Sequence, residues 1–189
     1  MGSTAKLHAV PTLAQLAQLF PKRTVLVVGD LVADYYIYGQ TDRVSREAPV
    51  LIVRYESSEV KLGGAANAAA NARSLGGQVI ALGVLGADPM GQELRRQFKG
   101  AGIKLTALSS KRLETETKTR ILAGGVNTTR QQMLRLDRGG NGLSQRFRMD
   151  IARLTAQMAR SADAVLVSDY AARDEYFVQA VEDEPGREE

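Results

Sequence analysis

Two kinds of hydrophobic pattern alternate along the chain. Thr24–Gly29 (TVLVVG) is an unbroken apolar run closed by glycine, the signature of a strand buried on both faces in a parallel sheet. Gln78–Leu85 and Ala164–Val167 read the same way, and Ile103–Leu108 reads as a short strand. Helical patterns lie between them. Thr12–Phe20 predicts a short amphipathic helix with Leu13, Leu16, Leu19 and Phe20 on one face. Gly63–Leu75 is alanine-rich, opens on two glycines and closes at Gly76-Gly77, which suits a helix start and a C-cap. Pro89–Ala101 has proline near its start and Gly102 after its end. Phe147–Ala159 is amphipathic.

The second pattern is wet on one side. Asp30–Gly39 reads as extended through Tyr35 and Ile37, and Val50–Tyr55 as another strand. Thr117–Ala123 and Arg130–Leu136 alternate apolar with polar and flank the turn Gly124-Gly125-Val126-Asn127, which predicts a hairpin. Buried strands alternating with helices predict an α/β layer around a parallel sheet, and the wet strands predict a small antiparallel sheet beside it.

Composition narrows the chemistry. With 189 residues the chain suits one domain with at most a small appendage, and 44% hydrophobic residues with a net charge of +4 exclude global disorder. There is no cysteine and one histidine, His8, read as a surface residue, so thiolate zinc sites, cysteine nucleophiles and multi-histidine metal sites are excluded. No run reaches the ~18 apolar residues of a membrane helix, and Leu7–Phe20 is too broken by polar residues for a signal peptide. A cytoplasmic protein is expected. The basic residues are scattered without interleaved aromatics, so nucleic acid is not an expected partner, whereas a phosphorylated small molecule accounts for the excess. The tail Arg173–Glu189 holds seven acidic residues against two arginines and breaks with the composition before it.

The candidate chemistry starts at Lys61-Leu62-Gly63-Gly64-Ala65-Ala66-Asn67. Two glycines before a helix let backbone approach a ligand, and Asn67 can donate to and accept from a sugar hydroxyl. The same residues also suit a plain entry turn. No Gly-Lys-Ser/Thr follows, and the dinucleotide-binding glycine spacing is absent.

Longer motifs are more specific. Gly63-Gly64-Ala65-x-Asn67-x-Ala69, then six residues, Gly76, nine residues and Gly86, resembles in full the first signature of the ribokinase-like (PfkB) sugar kinases. Its surroundings are similar to the heptose 7-phosphate kinase branch of that family: Gly29-Asp30 and Asp34 after the first strand, Arg43 to Val50, Thr117-Lys118-Thr119-Arg120, Leu134 to Asp137, and Ser168-Asp169-Tyr170. The resemblance covers about Thr24 to Ala172.

It implies a ribokinase-like α/β sandwich with a small β-sheet lid, the lid strands lying near 35–39, 50–55, 117–123 and 130–136. It also implies ATP-dependent phosphorylation of a sugar phosphate, heptose 7-phosphate to the 1,7-bisphosphate, with ATP and Mg²⁺ serving the full-length family. Asp34, Gly63, Gly64 and Asn67 would contact sugar hydroxyls; Lys118 and Arg120 would meet the substrate's phosphate. The alternatives remain a turn cap for Asp34 and a solvated strand face for Lys118 and Arg120. Arg43 and Arg46 are further phosphate candidates, and Asp30 reads as a strand-end cap. Clasped lids would give a homodimer.

The family's second signature, a Gly-Ala-Gly-Asp turn carrying the catalytic base and the anion hole, does not occur in the chain. The expectation is therefore a kinase domain truncated before its C-terminal half, inactive as a fragment, with no catalytic residue present. The organisation expected is a leader over 1–23, the kinase part over 24–172 and an unrelated tail over 173–189. A non-catalytic sugar-binding or lid-dimerising module is the alternative.

Overall fold

The structure, a computed structural model, describes residues 12–110, 112–125, 128–140 and 144–169. His8, Tyr170 and the tail from Arg173 lie outside the described residues, as do Val126 and Asn127 of the expected turn. The elements run α1 (Leu13–Ala17), β1 (Thr24–Gly29), β2 (Leu31–Val44), β3 (Leu51–Gly64), α2 (Ala65–Ser74), β4 (Gln78–Val84), α3 (Pro89–Gly100), β5 (Lys104–Leu108), β6 (Thr117–Gly124), β7 (Gln131–Arg138), α4 (Gln145–Ala159) and β8 (Ala164–Ser168).

β1 is apolar from Val25 onward because it is covered on both sides. It pairs in parallel with β4 and β8, and β5 extends the sheet in the order β5-β4-β1-β8. Val27, Val79 and Ala81 pack with Ala66 and Ala69 of α2 and with Leu94 and Phe98 of α3. Leu26, Val28 and Leu82 turn the other way, onto Ile151 and Ala159 of α4. Alternate residues of one strand thus feed two cores, which a strand buried on both faces requires. The alanines of α2 serve the same end, since small side chains let the helix lie close to the sheet.

The second sheet has the order β3-β2-β6-β7. β2 and β3 form an antiparallel ribbon of 14 residues each, longer than the extended segments the sequence pattern outlines. β2 starts inside the first core, where Leu31 and Ala33 are buried, and then runs out of it. β3 returns with Val60 and Leu62 packed against the same core. The residues beyond that outline, 40–44 of β2 and 56–64 of β3, are mostly polar or glycine and are held as strand by pairing across the ribbon. β6 and β7 pair antiparallel, as the hairpin pattern predicts. β6, however, lies parallel to β2, so the sheet is mixed rather than antiparallel. The chain reaches β6 only after crossing through β4, α3 and β5, and it re-enters the second sheet in the direction of β2.

Two further expectations change. The expected helix Thr12–Phe20 is one short α1, capped by Thr12 and Gln15 in a reciprocal capping box, followed by a 3-10 turn over Phe20–Lys22. Leu13, Leu16, Leu19 and Phe20 are all exposed. Pro21 cannot donate to a helical ladder, and a face that no described residue buries gains little packing energy to extend the helix. Gly63 and Gly64 do not begin α2. Gly63 is a strand residue of β3, and Gly64 is the N-cap at φ 55°, where a Cβ would stand 2.5 Å from the Asp30 carbonyl oxygen.

The entry of α3 is tied to the second sheet. Asp88, its N-cap, accepts from the Gly91 amide at 2.7 Å and from the Thr115 amide at 2.6 Å. The Thr115 hydroxyl accepts from the Gly86 amide at 3.0 Å. Burial alone would raise the Asp88 pKa, but the backbone donors Thr115 and Gly91 outweigh it and hold the carboxyl below its usual range.

Asp88→Ala should therefore cost ~1–3 kcal/mol in urea unfolding, since it loses a cap and orphans the Thr115 amide. Asp88→Asn should lose less. Because the folded-state pKa is depressed, the charge-dependent part of this contribution is fully present above about pH 4 and is lost as pH falls through the lower folded value. The gap between wild type and Asp88→Asn should close in acid; a gap that widens there would contradict this role.

Candidate functional site

The outward-running part of the second sheet is charged on one face. Side chains alternate along a strand, so every second residue of β2 (Asp34, Tyr36, Tyr38) shares a face with its register partners. Asp34 stands between Lys61 of β3 and Lys118 of β6; Tyr36 stands between Glu59 and Arg120. Lys118 and Arg120 in turn face Asp137 and Arg135 of β7.

Asp34 marks the place where β2 leaves the core. Its three predecessors in the strand are buried, while its own side chain is 22% exposed. Its carboxylate lies over Gly63, where a Cβ would come 2.5 Å from Oδ2. The missing side chain at Gly63 is thus the space the carboxylate occupies. Asp34 Oδ1 accepts from Arg120 Nη1 at 2.5 Å, and the Arg120 side chain is equally sheltered, at 22% exposure.

Around this pair every cation has an acid. Lys61 Nζ lies 3.0 Å from Glu59, Lys118 Nζ 3.3 Å from Glu116, and Arg135 Nη2 2.7 Å from Asp137. Lys61 Nζ and Arg120 Cζ, from neighbouring strands, lie 5.2 and 5.4 Å from the centroid of the Tyr36 ring. Tyr38 stacks beside Tyr36, carries Arg130 over its own ring and donates its hydroxyl to Glu59 at 2.6 Å. The hydrogen bonds from Tyr38 and Lys61 hold the Glu59 carboxyl below its usual range, and the same contacts raise the Tyr38 and Lys61 pKa values. Arg135 does likewise to Asp137.

The structure brings together Asp34, Gly63, Lys118 and Arg120. Gly64 and Asn67 follow at the start of α2; Asn67 is exposed in its first turn, and the Ala65 amide donates to the Asp30 carbonyl at 2.9 Å. Arg43 and Arg46 are not part of this cluster. Arg43 lies nine residues farther along β2, about 30 Å at extended spacing. Tyr36, Glu59, Glu116, Arg135 and Asp137 also belong to the cluster, and no role is expected for them from the sequence. The signal available was the shared period of two in Asp34-x-Tyr36, Glu59-x-Lys61-x-Gly63, Lys118-x-Arg120 and Arg135-x-Asp137, which becomes a site only when the register is known. Among the described residues no group of three or more His, Asp or Glu side chains converges as a metal site.

An α/β layer with a charged second sheet beside the ends of its strands, built on the glycine turn before α2, is the framework of a ribokinase-like carbohydrate kinase. The chain belongs to the pfkB family of carbohydrate kinases, whose pattern matches residues 22–141. Among curated proteins, the bifunctional protein HldE of Caulobacter sp. (strain K31) is 40% identical over 162 residues, 85% of this chain and 32% of that protein. The D-beta-D-heptose 7-phosphate kinase of Bordetella bronchiseptica is 38% identical over 155 residues, 82% of this chain and 48% of that protein. The chain thus spans about a third to a half of the length of these relatives. Two solved structures share the fold. A carbohydrate kinase from Agrobacterium tumefaciens has a TM-score of 0.60 at 20% identity, over 84% of this chain and 48% of that one. The ribokinase of Arabidopsis thaliana, solved with ribose and ATP, has a TM-score of 0.59 at 19% identity, over 84% and 50%.

Gly63→Ala should lower stability by ~1–3 kcal/mol, because the added methyl must displace the Asp34 carboxylate from its place beside Arg120. Gly100→Ala, where a Cβ meets nothing within 4 Å, should be neutral or stabilise by up to about 1 kcal/mol. Thermal melts showing equal effects for the two would mean that the Gly63–Asp34 approach is not tight.

Proposed function

We infer that this chain supplies the sugar-binding half of an ATP-dependent sugar-phosphate kinase whose substrate is heptose 7-phosphate, phosphorylated to the 1,7-bisphosphate. The observation that carries the reading is the half-buried Asp34 carboxylate, set over Gly63 at the core boundary and flanked by Lys61, Lys118 and Arg120. A carboxylate suits vicinal sugar hydroxyls, which it accepts from, and the cations beside it suit a sugar that carries a phosphate. The names of the curated relatives, HldE and D-beta-D-heptose 7-phosphate kinase, support the choice of heptose.

In this reading Asp34, Asn67 and the backbone at Gly63 and Gly64 hold the sugar ring, Lys118 and Arg120 meet the 7-phosphate, and the second sheet acts as a lid over the substrate. Pairing of two such lids would make a homodimer. The reaction would take place in the cytoplasm, where ATP is available. ATP supplies the transferred phosphoryl group, and the described residues offer Mg²⁺ no carboxylate cluster, so no step is assigned to a metal held by this chain. Glu59, Glu116, Asp34 and Asp137, the carboxylates of the charged face, are each engaged with a cation and so are poorly placed to accept the acceptor hydroxyl's proton. We therefore expect the chain alone to bind the sugar phosphate without phosphorylating it.

Calorimetry with heptose 7-phosphate tests the reading. Asp34→Ala or Asn67→Ala should cost at least about 1–3 kcal/mol of binding energy, as expected for a lost hydroxyl partner. Lys118→Ala should weaken heptose 7-phosphate far more than unphosphorylated heptose. Unchanged affinity in the first two variants removes them from the site, and equal losses for both sugars in the third remove Lys118 from the phosphate. Sugar-dependent ATP turnover by the purified chain, lost in Asp34→Ala, would overturn the expectation of inactivity.

A further inference from the structure

The pairing of charges on the substrate face has a consequence for selectivity, which rests on the sugar-phosphate site described above. Each cation there is already held by an acid: Lys61 by Glu59, Lys118 by Glu116, Arg120 by Asp34, Arg135 by Asp137. An arriving phosphate must compete with one of these acids for its cation. Breaking a pair leaves behind an acid that must be rehydrated or satisfied in another way, and that is costly where the group is sheltered from water. Asp34 is the one acid of the four that the site reading assigns to the sugar.

We propose that Arg120 is an exchange partner that sets specificity: in the unliganded protein it occupies the Asp34 carboxylate, and it leaves that carboxylate for the phosphate only when sugar hydroxyls take its place. Both halves of the broken pair are then satisfied by one ligand. A sugar without phosphate must share Asp34 with the Arg120 guanidinium, which has no second anion to turn to. A phosphate without the sugar must share Arg120 with Asp34 and sit beside that carboxylate's uncompensated negative charge. The site thus responds to the two groups together and discriminates against either alone, a selectivity that works by penalising the wrong ligand as well as by attracting the right one. Tyr36 suits the movement: its ring lies 5.4 Å from Arg120 Cζ and gives the guanidinium a face to stay against as its hydrogen bonds change. Lys61, over the same ring and in register with Asp34, adds positive charge near the place the phosphate would take.

The test uses calorimetry of the full chain with three probes: heptose 7-phosphate, unphosphorylated heptose and inorganic phosphate. Arg120→Met should bind unphosphorylated heptose about 3- to 10-fold more tightly, since Asp34 no longer has a competitor, and heptose 7-phosphate about 10-fold more weakly. Asp34→Asn should bind inorganic phosphate more tightly than wild type, because the guanidinium is released from its acid. Arg120→Lys, which keeps the charge and loses the planar fork, should fall between wild type and Arg120→Met in its preference for the phosphorylated sugar. If Arg120→Met does not fold, the Asp34→Asn and Arg120→Lys measurements carry the test. Wild-type binding of heptose 7-phosphate, with both sugars weakened by one common factor in Arg120→Met, would sink the exchange and leave the site reading standing. Failure of Asp34→Asn to gain affinity for inorganic phosphate would also count against the exchange. A wild-type chain that binds neither sugar would remove the site reading and the exchange with it.

Discussion

The ion pair between Asp34 and Arg120 sits at the boundary between two environments, and the polar face of the second sheet is organised around it. One residue earlier β2 is fully buried in the α/β core; from Asp34 on it is partly wetted. A carboxylate held at such a boundary needs a partner, because burying an unpaired charge is expensive. Arg120 supplies it from the adjacent parallel strand, so the pair also ties β6 to β2. Gly63 supplies the space: any side chain there would drive the carboxylate out. Strand register, a glycine and an ion pair are thus one constraint seen from three strands.

The first sheet makes that boundary possible. β1 is buried on both faces between α2 and α3 on one side and α4 on the other, which gives a rigid base from which the ribbon can project. The ribbon is anchored at both ends of its buried part, by Leu31 and Ala33 on β2 and by Val60 and Leu62 on β3. A second tie runs from Asp88 at the start of α3 to the Thr115 amide just before β6. The second sheet is therefore joined to the core on both the β2–β3 side and the β6 side.

On that face the balance of charge matters more than its sign. The chain as a whole is basic, which points toward anionic ligands, yet around Asp34 positive and negative side chains are matched one to one. An anion there competes with acids already in place, and Asp34 and Arg120 are partners that a sugar and a phosphate would share. Counting lysines and arginines cannot show this, since it depends on which acid stands beside each.

Much of the fold was legible along the chain. The apolar runs at 24–29 and 78–84, the glycine-bounded helices and the alternating hairpin at 117–136 follow from periodicity, because burial on two faces, one face or a helical stripe each leaves its own spacing. The motif from Gly63 to Gly86 was legible as well, and it led to the sugar-kinase family. Three things were decided only by tertiary structure. The short α1 stayed exposed because amphipathicity does not provide a partner to pack on. β2 and β3 proved long because residues 40–44 and 56–64, mostly polar or glycine, are held as strand by pairing across the ribbon. The parallel pairing of β2 with β6 placed Arg120 against Asp34, 86 residues away in the chain. Spacing within a strand is local and is written in the sequence; the neighbour across a sheet is set by how distant segments pack, and no local pattern encodes it.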